Sequence, residues 1–250
     1  MEIYTYGNPD AERWLFQMVD EHDMEGMEQE VSYIRELTGG KDFFLKAIKV
    51  DDWNRDLSPW QAPAVFGKED FGEGAEETLK FLLGEIGRDL PGECIEDLAA
   101  DASAGVPVKV SAKGSEEVSK GKNEDAPRAA GRKLYLGGYS LAGLFALWAA
   151  YRTDCFDGIA AASPSVWFPG FTEYMKEHAI RTPAVYLSLG DREEKTRNPV
   201  MAEVGNAIRE GYALLSDAGK DCILEWNKGN HFKEPDLRTA KAFAWLINRE

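Results

Sequence analysis

Ser140 sits within KLYLGGYSLAGLFALWAAY, residues 133–151, at a point where the apolar pattern changes period. Leu134, Tyr135 and Leu136 form a short strand-like run that ends at Gly137 and Gly138, whereas Leu141, Leu144, Phe145, Leu147 and Trp148 continue at helical steps. A serine at such a strand-to-helix elbow has a strained backbone and a hydroxyl pushed out of the fold, which suits a nucleophile. The N–H groups that open the following helix, that of Leu141 among them, are donors for a developing oxyanion. Gly138 and Ala142, two residues before and two after the serine, must be small so that strand and helix can approach. The usual pattern is G-x-S-x-G; here Ala142 takes the last position and Gly143 follows. The same turn also occurs as plain packing, so a base and an acid in the right places must decide.

The chain has three histidines. His231 follows a strand-like run (Ile223, Leu224, Trp226) and a polar turn at Lys228–Asn230, and precedes a helical pattern through Leu237, Ala240, Phe243, Ala244 and Ile247. An imidazole, with an ordinary pKa of ~6.5, can accept a serine proton near neutrality. His178, near the end of a charged helical stretch, reads as an exposed or C-capping residue. His22 follows an early apolar strand. The acid is expected between serine and histidine. The apolar strand PAVYLSLG, residues 183–190, runs into Asp191, Arg192, Glu193 and Glu194. A carboxylate there would accept the second imidazole N–H and orient the ring. A G-x-x-acid count from Gly190 favours Glu193, with Asp191 and Glu194 as alternatives. The order serine, acid, histidine, each just past a strand, is the strongest sign of a triad.

Three stretches resemble α/β-hydrolase-fold serine esterases of the group that includes esterase D and the enterochelin-type esterases. They are GGYSLAGLFALWAA at 137–150, AASPSVWFPG at 161–170, and SLGDREE at 188–194 paired with GNHF at 229–232. The resemblance covers most of the chain apart from roughly residues 90–131. It implies an α/β fold with a mostly parallel central sheet and helices on both faces. It also implies hydrolysis of a carboxylic ester through an acyl-serine intermediate, which calls for no metal or cofactor. An acyltransferase would use the same triad and pass the acyl group to an alcohol. A binding protein would keep the fold and lose the reactivity.

The rest of the chain supplies the expected alternation of strands and helices. Glu2–Tyr6 reads as an edge strand and Trp14–Val19 as a second strand. Met24, Met27, Val31, Ile34 and Leu37 read as an amphipathic helix and Phe43–Val50 as a strand. A helix through Ala75, Leu79, Leu82, Leu83 and Ile86 follows, and further strands at Gly158–Ala162, Val185–Leu189 and Ile223–Trp226. The second oxyanion donor is expected from backbone past WLFQMV, at Glu21 or His22 within Asp20–His22. Trp53, Trp60, Trp167 and Phe168 fall in loops at the carboxyl ends of strands, where substrates bind in open α/β sheets. They are candidate pocket walls or lids over the core.

Composition is compatible with one domain spanning 1–250: 250 residues, 44% hydrophobic. The formal net charge of −15 argues against nucleic acid and against an anionic membrane surface; the partner that the resemblance implies is a small-molecule ester. No apolar run reaches transmembrane length and no signal-peptide pattern opens the chain, so a cytoplasmic location is expected. Cys94, Cys155 and Cys222 have no metal-site spacing and suggest no disulfide framework. The stretch at about 101–131 is rich in Ala, Gly, Ser and Lys, and locally basic. It reads as a flexible insertion, or as a flap or partner-binding arm.

Overall fold

The structure is a computed structural model that describes residues 1–90 and 131–249. Apart from Gly131, the expected insertion lies outside the described residues. The elements are β1 (Glu2–Gly7), β2 (Arg13–Val19), α1 (Glu21–Leu37), β3 (Phe44–Lys49), α2 (Trp53–Asp56), α3 (Ala75–Asp89), β4 (Lys133–Tyr139) and α4 (Ser140–Arg152). They continue as β5 (Gly158–Ala162), α5 (Phe171–Glu177), β6 (Ala184–Gly190), α6 (Pro199–Ala202), α7 (Val204–Asp217), β7 (Asp221–Asn227) and α8 (Pro235–Ile247). A 3-10 turn at Glu193–Lys195 lies between β6 and α6.

The strands form one seven-stranded sheet in the order β1-β3-β2-β4-β5-β6-β7. Among the described strands only β1, at the edge, is antiparallel to its neighbour; β2 to β7 run parallel. A parallel sheet must be covered on both faces, and the strand alternation provides for this. Trp14, Phe16 and Met18 of β2 join one core cluster with side chains of α3, α4, α5 and α7. Leu15 and Val19 point the other way, into a second cluster with Met27, Val31 and Ile34 of α1 and Phe243, Leu246 and Ile247 of α8. Every residue of α4 from Leu141 to Tyr151 is buried, which explains its apolar character all round. The start of α1 is set by a capping box, in which Asp20 and Asp23 each accept the other's backbone N–H.

Cys155 is disulfide-bonded, where the cysteine spacing suggests no disulfide framework; Cys222 is free. Among the described residues no helix is long and apolar enough to cross a membrane.

Candidate active site

The elbow between β4 and α4 is built by close approach. Ser140 has φ +56°, in the left-handed region that is costly for a residue with a Cβ. A Cβ placed on Gly138 would lie 2.6 Å from the Ala142 Cβ. Ala142 is therefore accommodated because position 138 carries no side chain. Gly143 is held the same way: a Cβ there would meet the Gly138 carbonyl oxygen at 3.0 Å.

A continuous hydrogen-bonded chain starts at this serine. Ser140 Oγ lies 3.0 Å from His231 Nε2, and His231 Nδ1 lies 2.7 Å from Glu193 Oε2. The histidine is half-buried and the carboxylate nearly sealed, with side-chain exposures of 24% and 4%. The other carboxylate oxygen, Glu193 Oε1, accepts from the Gly190 N–H at 2.7 Å, from Ser163 Oγ at 2.9 Å and from Arg238 Nη1 at 2.9 Å. Burial acts to raise the Glu193 pKa. The hydrogen bond and charge of His231, with the donors Gly190 and Ser163, outweigh it and hold the group below the ordinary glutamate value. An ionised Glu193 can fix the His231 tautomer with Nε2 facing the serine.

The two neighbouring carboxylates have other partners. Asp191 accepts the Gly229 N–H at 2.8 Å and so ties the end of β6 to the histidine loop; that bond holds its pKa low. Glu194 pairs with Arg209 at 3.0 Å. The 3-10 turn at Glu193–Lys195 turns Glu193 inward between them.

Leu141 lies in the first turn of α4, where backbone N–H groups have no acceptor within the helix. Glu21 and His22 occupy the first turn of α1. Because β2 and β4 are parallel neighbours, both helix starts open at the same edge of the sheet. The His22 imidazole is exposed beside Glu25. His178 is the exposed C-cap of α5.

A cavity of about 280 Å³ is lined by His231, Glu193 and Ser163, with Trp167, Met201, Val204 and Phe232 as apolar wall and Arg192 and Lys195 as cations. Of the four candidate aromatics, Trp167 lines this cavity, whereas Trp53, expected in a loop, opens the single-turn helix α2 behind its N-cap Asp52. Trp60 bonds through Nε1 to the Pro169 carbonyl and packs its ring edge-on to Phe168 and stacked on Phe171. Phe168 is core, and Trp53 packs against the same core cluster. For these three the structure favours the reading as core cover.

Three residues absent from the sequence reading hold the site together. Buried Arg238, near the start of α8, also donates to Tyr139 Oη at 3.1 Å and, through Nη2, to the Asn230 carbonyl at 3.0 Å. The Tyr139 hydroxyl donates to the His231 carbonyl at 2.6 Å. Its pKa is pushed up to about 12 by burial and by the charge of Glu193, so it stays a donor. Ser163, at φ +42°, aims its hydroxyl at Glu193. Arg238 had a signal, since it is a cation on the buried face of α8, four residues before Ala242 and eight before Leu246. Among the described residues no group of three or more His, Cys, Asp or Glu could hold a metal ion.

The parallel sheet and the elbow serine define an α/β-hydrolase fold, and solved structures agree. A siderophore hydrolase from Aspergillus nidulans matches with a TM-score of 0.62 at 18% identity, over 96% of this chain and 84% of that one. An IroE-like serine hydrolase from Shewanella oneidensis gives 0.67 at 14% identity, over 98% and 75%. A carboxylesterase from Bacillus cereus gives 0.55 at 12% identity, over 99% and 94%. At these identities the likeness establishes the fold. No protein-family model matches the sequence, and a search of curated proteins finds no match.

Proposed function

We propose that this chain is a serine esterase that hydrolyses a small carboxylic ester through an acyl-serine intermediate. The observation that carries the reading is the unbroken chain from Ser140 Oγ through His231 to Glu193. The esterase and serine-hydrolase names of its structural neighbours support the same chemistry. In this mechanism Ser140 Oγ attacks the ester carbonyl carbon while His231 Nε2 takes the hydroxyl proton. The oxyanion is held by the Leu141 N–H and an N–H at Glu21 or His22. Collapse of the adduct breaks the bond to the alcohol oxygen, which takes the proton from His231. Water, deprotonated by the same histidine, then releases the acid and restores Ser140. Glu193 orients the imidazole throughout. Trp167 and the apolar wall beside it receive one side of the ester.

The test is an ester-library screen on the full chain with a fluorophosphonate control. One site of labelling at Ser140 is expected. Ser140→Ala should abolish turnover and labelling while leaving the thermal unfolding profile intact. Labelling at another serine, or undiminished turnover in Ser140→Ala, refutes the mechanism.

A further inference from the structure

A second cavity, of about 250 Å³, lies between α1 and α8 on the other face of the sheet, with Tyr139 in its wall. Its floor is polar where the sequence calls for core. Gln17 occupies the position between Leu15 and Val19 on the inward face of β2, and Glu30 lies among the buried residues of α1. Their exposures are 3% and 4%. Gln17 Nε2 donates to Glu30 Oε2 at 3.3 Å. The remaining oxygens, Gln17 Oε1 and Glu30 Oε1, are buried and have no hydrogen-bond partner. Two orphaned acceptors in one cavity are costly unless something donates to them.

The rest of the lining points the same way. Asp23 and Glu25 of α1 and Asp236 of α8 add carboxylates, and among the described residues no Lys or Arg lines the space. His22, at the mouth, is exposed beside Glu25. These acceptors surround the space without forming a cluster able to hold a metal ion. The volume is also large for a bare cation.

We propose that this cavity binds a small primary ammonium ion, whose N–H groups donate to Gln17 Oε1 and Glu30 Oε1 and whose charge meets the surrounding carboxylates. Burial raises the Glu30 pKa well above the ordinary value against the hydrogen bond from Gln17, and the charges of Asp23 and Asp236 add to the rise. An ammonium ion favours the ionised form and so offsets that rise. The site is distinct from the ester-binding cavity. It touches the proposed triad through Tyr139, whose hydroxyl donates to the His231 carbonyl.

The experiment is calorimetric titration of the full chain with propylammonium chloride, with tetramethylammonium chloride as the cation that lacks N–H donors. It reads heat and not turnover, so its outcome is separate from that of the esterase reading. Saturable binding of one propylammonium per chain is expected, with no saturable binding of tetramethylammonium. Glu30→Gln should weaken the affinity at least about tenfold. Asp236→Asn, at the partly exposed rim, tests the same charge field where the fold is least at risk, and should weaken binding severalfold. The proposal is overturned if propylammonium does not bind saturably, or if tetramethylammonium binds equally well as a diffuse counterion. It is also overturned if folded Glu30→Gln and Asp236→Asn both bind as the parent does.

Discussion

Glu193 differs from its neighbours in what it touches and not in its chemical type. Its two oxygens divide their work: one meets His231, the other accepts from a backbone amide, a serine and an arginine. Asp191 is spent on the Gly229 amide and Glu194 on Arg209. Under the proposed mechanism Glu193→Gln places an amide where the imidazole needs an acceptor. It should lower kcat by about a thousandfold or more, the scale seen when the orienting acid of a triad is replaced. Asp191→Asn and Glu194→Gln should each stay within about tenfold of the parent. Steady-state kinetics on the three single variants decide the assignment. An Asp191→Asn variant as impaired as Glu193→Gln would show that the loop turns earlier in the working enzyme.

At the scale of elements, the critical joint is the one between β4 and α4. Ser140 is forced to positive φ, and the strain is tolerated because Gly138 and Gly143 let the backbone fold back on itself. A methyl group at position 138 has no space, because the Ala142 Cβ and the helix backbone already fill it. Gly138→Ala should therefore cost about 1–3 kcal/mol of stability, as overpacking does. It should also lower kcat by displacing Ser140. Ala142→Gly opens space and should cost no more than about 1 kcal/mol in helix propensity, with turnover retained. Denaturant melts read with kinetics separate the two effects. Equal stability for Gly138→Ala and the parent would contradict the close-packed elbow.

For the whole molecule, buried carboxyls pull stability in opposite directions with pH. Glu193 has a lowered pKa in the folded state, so its contribution is present above the ordinary glutamate value and is lost as pH falls through the folded value. Glu30 is raised well above its ordinary value, and Asp23 is raised to about 6 by burial and the charge of Asp20. These two bind more protons when folded than when unfolded, so stability falls as pH rises from their ordinary values through their raised ones. A formal charge of −15 at pH 7 adds self-repulsion in the same direction. Without added amines, unfolding free energy should peak on the acid side of neutrality and decline toward alkaline pH. Glu30→Gln should flatten that decline. Urea titrations across pH check it, and stability that climbs steadily from about pH 5 to pH 8 would refute the balance.

Much of this architecture can be read along the chain because it depends on short-range periodicity. The change from strand to helical spacing at Ser140, the strand runs, and the last strand and helix on either side of His231 are local patterns, and the fold shows them in those places. Ser140 and His231 are marked by that pattern although they stand 91 residues apart. The acid could be narrowed to one loop, and within it the count from Gly190 favoured Glu193. Contact with His231, 38 residues away, rests on a 3-10 turn and on the separate partners of Asp191 and Glu194. Arg238 comes from α8, Tyr139 from β4 and Ser163 from the bend after β5, and their meeting at Glu193 and the His231 loop follows from the packing of α8 against the sheet. The loop aromatics divide for the same reason: sequence places them at the carboxyl edge, and packing decides that Trp167 lines the cavity while Trp60 and Phe168 cover core. The cavity between α1 and α8 has one local trace, a glutamine in the otherwise apolar strand WLFQMV. Periodicity says which side of an element faces inward. Only the docking of elements distant in sequence decides what that side meets.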